Sequence, residues 1–364
     1  MMRHLASMAM ALGLFLAAPA QAQWHRLASG TQEDLKAVSA IDAQIAWASG
    51  GHGTVLRTQD GGTSWQRCAA PTGAEDLDFR GVQGFDKDTA VVMAGGSGQA
   101  SRLFKTADGC RTWKVVLANP DAAGSFEALR RATAYDIYLL GQPVAGRFVV
   151  YLSHNAGDTW ARETDSGLAF PADAHLVPGG ASAMTNVLSF VVFGSGGGDG
   201  DGGAQIYSYG PLCKGKACEI GWSGKPAPMA SGDVVASVAG RNIMVPATGT
   251  VTGIGTMPAT ALVAVGGDPR QGMGAAAFSA DGGATWKPAS ATPGGYRSAV
   301  DFDGDHNRFI AVGPNGTDVS VDDGLIWAPL RPGPEGSAED RGWTAVSLPF
   351  VVGEHGRIGL LTNR

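Results

Sequence analysis

The chain has 364 residues with a formal charge of −6, and only 16% are charged against 44% hydrophobic, which excludes a disordered polyelectrolyte and allows a large core. Its 27 lysines and arginines form no block against 33 acidic residues, so nucleic acid and anionic lipid are excluded as partners. Glycine supplies 55 residues, about twice the usual ~7%, without a collagen period, and that density belongs to an all-β chain with many tight turns between short strands.

Residues 1–22 read as a secretory signal peptide: Arg3 and His4, an apolar run, then Ala20-Gln21-Ala22 as a small-x-small cleavage site. The run is too short to cross a bilayer, and no later segment reaches ~18 uninterrupted apolar residues. Residues 23–364 are therefore expected as one exported domain with no transmembrane segment, in the periplasm or outside the cell.

A repeated turn follows. "TQDGGTSW", "TADGCRTW" and "SHNAGDTW" begin at Thr58, Thr106 and Ser153, spaced by 48 and then 47 residues, and "SADGGATW" and "SVDDGLIW" begin at Ser279 and Ser320. The aspartate or asparagine (Asp60, Asp108, Asn155, Asp281, Asp322) can accept backbone N–H groups a few residues on, glycine supplies positive φ, and the tryptophan (Trp65, Trp113, Trp160, Trp286, Trp327) anchors the strand that follows. Upstream of each turn lies a tetrad of large apolar, any, small and aliphatic residues: "LKAV" at Leu35, "FRGV" at Phe79, "FEAL" at Phe126, "YRSA" at Tyr296 and "WTAV" at Trp343, with weaker copies at Met184 and Val235.

Those tetrads number seven, whereas six tryptophans, Trp222 included, close a unit. The unit that begins at Trp343 stops before any such turn, and Trp24, at the start of the mature chain, supplies the missing piece. This describes a seven-bladed β-propeller whose last blade is closed by both chain termini, which removes the open sheet edge that would invite aggregation.

Four cysteines in an exported chain are disulfide candidates with three possible pairings. Cys213 and Cys218 sit close enough for a local hairpin, and Cys68 and Cys110, beside the first two turns, could join neighbouring repeats.

The stretches "AWASGGHGTVLRTQDGGTSW", "GQPVAGRFVVYLSHNAGDTW" and "GYRSAVDFDGDHNRFIAVGPNGTDVSVDDGLIW" resemble the photosystem II stability/assembly factor-like family, and the turns resemble the Asp-box, or bacterial neuraminidase repeat. The resemblance implies a seven-bladed propeller that binds a partner protein during assembly at a membrane. Gln142 and Ala145 stand where that family usually carries an acidic residue.

If the tetrads are the innermost strands, their second positions surround the channel: Lys36, Arg80, Glu127, Thr185, Ala236, Arg297 and Thr344. Lys36, Arg80, Glu127, Arg297 and Thr344 are then the expected partner-binding ring, with three cations against one carboxylate, suited to an acidic peptide, a C-terminal carboxylate or a small anion. Arg130, Arg131 and Arg147 read as surface charges.

Chemistry finds less support. Sialidases share the Asp-box, but they need an arginine clamp, a tyrosine–glutamate pair and an acid/base aspartate, and the aspartates that stand out here belong to turns. No dinucleotide fingerprint, C-x-x-C or haem motif is present. "DFDGDHN", from Asp301 to Asn307, reads as an acidic β-turn, because a calcium loop would place glycine at its sixth position and a glutamate further on. The expectation is a monomeric, non-catalytic envelope protein without cofactor or metal, partnered by another envelope protein or peptide; the alternative is a sialidase-like glycoside hydrolase or carbohydrate-binding propeller.

Overall fold

A computed structural model describes residues 22–163, 174–177, 183–187, 190–196, 203–214, 217–230, 232–242, 260–330 and 339–363. Within these residues the chain forms seven four-stranded antiparallel sheets, the blades of a propeller. The innermost strands are Leu35–Ala40, Phe79–Gly84, Phe126–Arg131, Met184–Val187, Val234–Asn242, Ala299–Asp303 and Trp343–Ser347 in blades 1 to 7. Blade 7 takes its outer strand, Ala22–Leu27, from the N-terminal end, paired along its length with Ile358–Asn363. Residues 1–21 of the expected leader lie outside the described residues.

Each Asp-box turn is held by its own side chains. In blade 1 the Thr58 hydroxyl donates to Asp60 Oδ1 at 2.8 Å and accepts the Gly62 N–H at 2.9 Å, while Asp60 Oδ1 accepts the Ser64 N–H at 2.9 Å and Oδ2 the Ser64 hydroxyl at 2.6 Å. The turns at Asp108, Asn155, Asp281 and Asp322 repeat this pattern. These bonds hold the Asp108 carboxyl down at about 2, chiefly through the Thr112 hydroxyl, and depress Asp60 through Ser64. In Asp281, burial pushes the other way and the Thr285 bonds outweigh it.

The tryptophans act between blades. Trp65 packs with blade 7 residues, its ring 5.7 Å from Phe350 in an edge-on contact. Trp113 lies in the cluster that joins blades 1 and 2, Trp160 in that of blades 2 and 3, and Trp222 in that of blades 3 and 4. Trp286, Trp327 and Trp24 continue the series around the ring. The indole thus fills the wedge between its own blade and the preceding one, where apolar burial is worth about 25 cal/mol per Å².

Cys68 and Cys110 form a disulfide across the boundary between blades 1 and 2. The side chains of Cys213 and Cys218 lie outside the described residues, although their backbones stand opposite each other across the blade 4 hairpin.

The tetrads have a second structural meaning. In blades 1, 2, 3, 5 and 7 the pairing of the inner strand slips by one residue at the second tetrad position, namely Lys36, Arg80, Glu127, Ala236 and Thr344. This is a β-bulge repeated at one end of the inner strands. Glycine opposes it because a Cβ on Gly50 or Gly353 would collide with a backbone carbonyl, that of Asp34 or Gly342.

Candidate functional site

Small polar side chains near the other end of the inner strands latch each blade to the next. Ser347 Oγ accepts the Ala40 N–H at 3.0 Å, Ser39 Oγ the Gly84 N–H at 3.1 Å and Gln83 Oε1 the Arg131 N–H at 3.1 Å. Asn186 Nδ2 donates to the Ala132 carbonyl at 3.1 Å, Ser237 Oγ accepts the Val300 N–H at 3.1 Å, and Asp301 Oδ2 accepts the Leu348 N–H at 2.9 Å. These bonds cross six of the seven blade boundaries among the described residues, and they enclose an axial channel.

Two adjoining cavities make up this channel, one of about 330 Å³ and one of about 70 Å³. Arg130, Asp301 and Val346 line both; Arg131 and Gln83 line the wider, and Thr185 and Asn186 the narrower. The wider cavity opens on the face that carries the Asp-box turns, since Gly61, Gly109 and Ala156 of those turns donate to the inner-hairpin carbonyls of Gln44, Asp88 and Tyr135 at 2.8–3.0 Å.

The charges in the channel wall are Arg130, Arg131 and Asp301. Arg130 Nε donates to Asn186 Oδ1 at 3.3 Å. Burial pulls its guanidinium below the ordinary arginine range, and Asp301 opposes that pull. Burial pushes the Asp301 carboxyl up, against the Leu348 N–H and the charge of Arg130. Arg131 Nε donates to the Thr133 carbonyl at 2.9 Å, and its guanidinium lies over the Phe85 ring at 5.2 Å. Arg130 and Arg131 are therefore channel residues, contrary to the surface role that the sequence suggested. Asp301 also departs from expectation: it lies within an inner strand, and the turn begins only after Asp303, whose carboxylate accepts from Arg308 Nε at 2.8 Å.

The expected ring at the opposite end is differently occupied. Lys36 Nζ meets Asp78 at 2.6 Å, and Arg80 Nη1 meets Glu127 at 3.4 Å, with Glu127 only 3% exposed. Arg297 does not face the channel as an available cation. Its side chain is 3% exposed and paired with Asp318, which is 1% exposed, and it also donates to Asn315 Oδ1 at 2.7 Å. The Thr344 hydroxyl donates to the Leu35 carbonyl at 2.6 Å. Counting charges in the tetrads missed Asp78 and Asp318, which lie outside them. Gln142 bonds in both directions with the backbone of Leu176, at 2.8 and 3.0 Å.

Hydrolysis of a glycoside by the two-carboxylate route needs a second acid within reach, and Asp301 is the one carboxylate among the residues that line the two cavities. Among the described residues no group of three or more His, Cys, Asp or Glu side chains is placed to hold a metal ion, and no helix is long and apolar enough to cross a membrane.

Comparison with known proteins agrees with the fold. Residues 16–184 match the family model of the photosynthesis system II assembly factor YCF48. A structure described as YCF48 bound to D1 peptide is 15% identical, with a TM-score of 0.59 over 95% of this chain and 100% of that one. YCF48 from Cyanidioschyzon merolae is 17% identical, with a TM-score of 0.60 over 93% of this chain and 98% of its own. The WD40 propeller domain of Doa1, 10% identical, reaches 0.56 over 95% of this chain and 98% of that domain, so at such identities the likeness speaks for the propeller architecture alone. No curated protein matches. The family match spans just under half of the chain; read with the repeated Asp-box turns and the seven blades, it makes this chain similar to the photosystem II assembly factor-like propellers built from bacterial neuraminidase repeats.

Proposed function

We propose that the protein is a non-catalytic assembly or stability factor of the cell envelope that captures a segment of a client protein, and that it docks this segment on the Asp-box face, where the axial channel opens. Export is supported by the composition of residues 1–22 and by the Cys68–Cys110 bridge. The YCF48 structure with a bound D1 peptide supports a peptide as the kind of client. The protein acts as a monomer in this reading.

One contrast carries the choice of face. At the bulged end of the inner strands each cation has a carboxylate partner: Lys36 with Asp78, Arg80 with Glu127 and Arg297 with Asp318. At the channel mouth two arginines stand against Asp301 alone, which leaves a net positive charge for an acidic client segment.

The test is affinity capture from envelope extracts with the wild-type chain, Arg80→Ala and Arg131→Ala, with thermal melts as a folding control. Proteins retained by wild type and Arg80→Ala but lost by Arg131→Ala are expected. Equal retention by Arg131→Ala, loss confined to Arg80→Ala, or no retention at all overturns the assignment.

A further inference from the structure

Arg130 and Asp301 face the same channel from blades 3 and 6 and line both of its cavities. Each feels the charge of the other, yet no ion pair within 4.0 Å joins them among the described residues. Arginine and aspartate that can reach each other in such surroundings pair, because a forked guanidinium matches a carboxylate. Here both are held back. Asn186 Oδ1 takes the Arg130 Nε–H, and Asp301 is tied by the Phe302 and Leu348 N–H groups, each at 2.9 Å.

Both groups keep bonding capacity. Among the described residues the Arg130 guanidinium makes one hydrogen bond, through Nε, and its Nη hydrogens meet no acceptor. The two Asp301 oxygens each accept one backbone bond, and a carboxylate offers about four lone-pair sites. Among the polar side chains nearby, Ser39, Gln83, Asn186 and Ser347 are engaged in the blade latches. A ligand therefore meets one cation and one anion that line the same channel without pairing with each other.

We propose that the axial channel binds a small zwitterion of the amino-acid type, its carboxylate on Arg130 and its ammonium on Asp301. The wider cavity, about 330 Å³, lies at the lower end of the ~300–1,000 Å³ range of small-molecule sites. Asp301 disfavours a dianion such as phosphate, and Arg130 with Arg131 disfavours a simple cation. The site lies inward of the client-docking mouth and goes beyond that reading, since it can be filled or empty whatever the client.

Isothermal titration calorimetry and thermal-shift measurements test it, using purified chain with L-alanine, 4-aminobutyrate, acetate and ethylamine as probes. Saturable binding of L-alanine or of 4-aminobutyrate is expected, the better of the two reporting the spacing of the charges. Acetate and ethylamine, each lacking one charge, should bind at least about tenfold more weakly, the scale of one lost charged hydrogen bond. Arg130→Gln should abolish binding without lowering the melting temperature. Asp301→Asn should do the same, and if its altered backbone bonds unfold the blade, Arg130→Gln decides alone. Acetate binding as tightly as the amino acids, binding retained in Arg130→Gln, or no binding of either zwitterion overturns the proposal.

Discussion

The disulfide sits in an Asp-box turn, and its removal separates two contributions to stability. Cys110 has φ +61°, whereas the equivalent positions in the other turns are glycines: Gly62, Gly157, Gly283 and Gly324, at +84° to +91°. The turn demands this conformation, because the Cys110 N–H must reach the Thr106 hydroxyl, as it does at 3.0 Å. A non-glycine residue held there costs roughly 1–2 kcal/mol. The crosslink acts in the opposite direction: closing a loop between cysteines 42 residues apart restrains the unfolded chain by about 4 kcal/mol on the chain-entropy account. Cys68→Ala/Cys110→Ala should therefore lose about 4 kcal/mol, and Cys68→Ala/Cys110→Gly should recover roughly 1–2 kcal/mol of that loss. Urea unfolding followed by tryptophan fluorescence measures both, and variants are preferable to a reductant because the two cysteines are only 5% and 4% exposed. A glycine variant no more stable than the alanine variant refutes the strain argument. Unchanged midpoints in both refute the loop-closure argument.

Two further expectations concern charge. Arg297→Ala leaves Asp318 buried without its cation and should cost about 3–5 kcal/mol in the same urea assay; a change within experimental error would mean that Arg297 is free for binding after all. Acid should act through the turns. The carboxyls of Asp60, Asp108 and Asp281 are depressed in the folded chain, Asp108 to about 2 from 3.8, so the stability they contribute is present above about pH 4 and lost as the pH falls towards 2. Asp301 and Asp233, raised by burial, act in the opposite sense, so the informative comparison is wild type against Asp108→Ala. The variant should show the shallower loss of urea midpoint between pH 4 and pH 2, and parallel curves would remove Asp108 from the account.

The parts of this propeller that were legible in the sequence are those built from neighbours along the chain. The aspartate of each turn bonds to groups within about one turn's length, as Asp60 does to Thr58 and Ser64, and that pattern survives even where asparagine replaces aspartate at Asn155. The tetrads were equally visible as a repeat, but their meaning was not. Their second position is a bulge, and where its side chain goes depends on partners elsewhere: Asp78 arrives from the link into blade 2, and Asp318 from the third strand of blade 6.

The same reasoning separates Arg130 from Arg80. Along the sequence Arg130 and Arg131 look like a charged strand end, and Asp301 looks like part of an acidic turn. The closed ring sets them in one channel wall, as it sets Ser347 against the Ala40 N–H across 307 residues. Turn chemistry and hydrophobic repeats are short-range and are therefore written directly in the sequence, which by itself determined an all-β chain of repeated Asp-box units. Which charges neutralise each other, and which remain to face a ligand, was decided only by the tertiary structure, because closing seven blades around one axis is what brings those side chains within Coulombic reach.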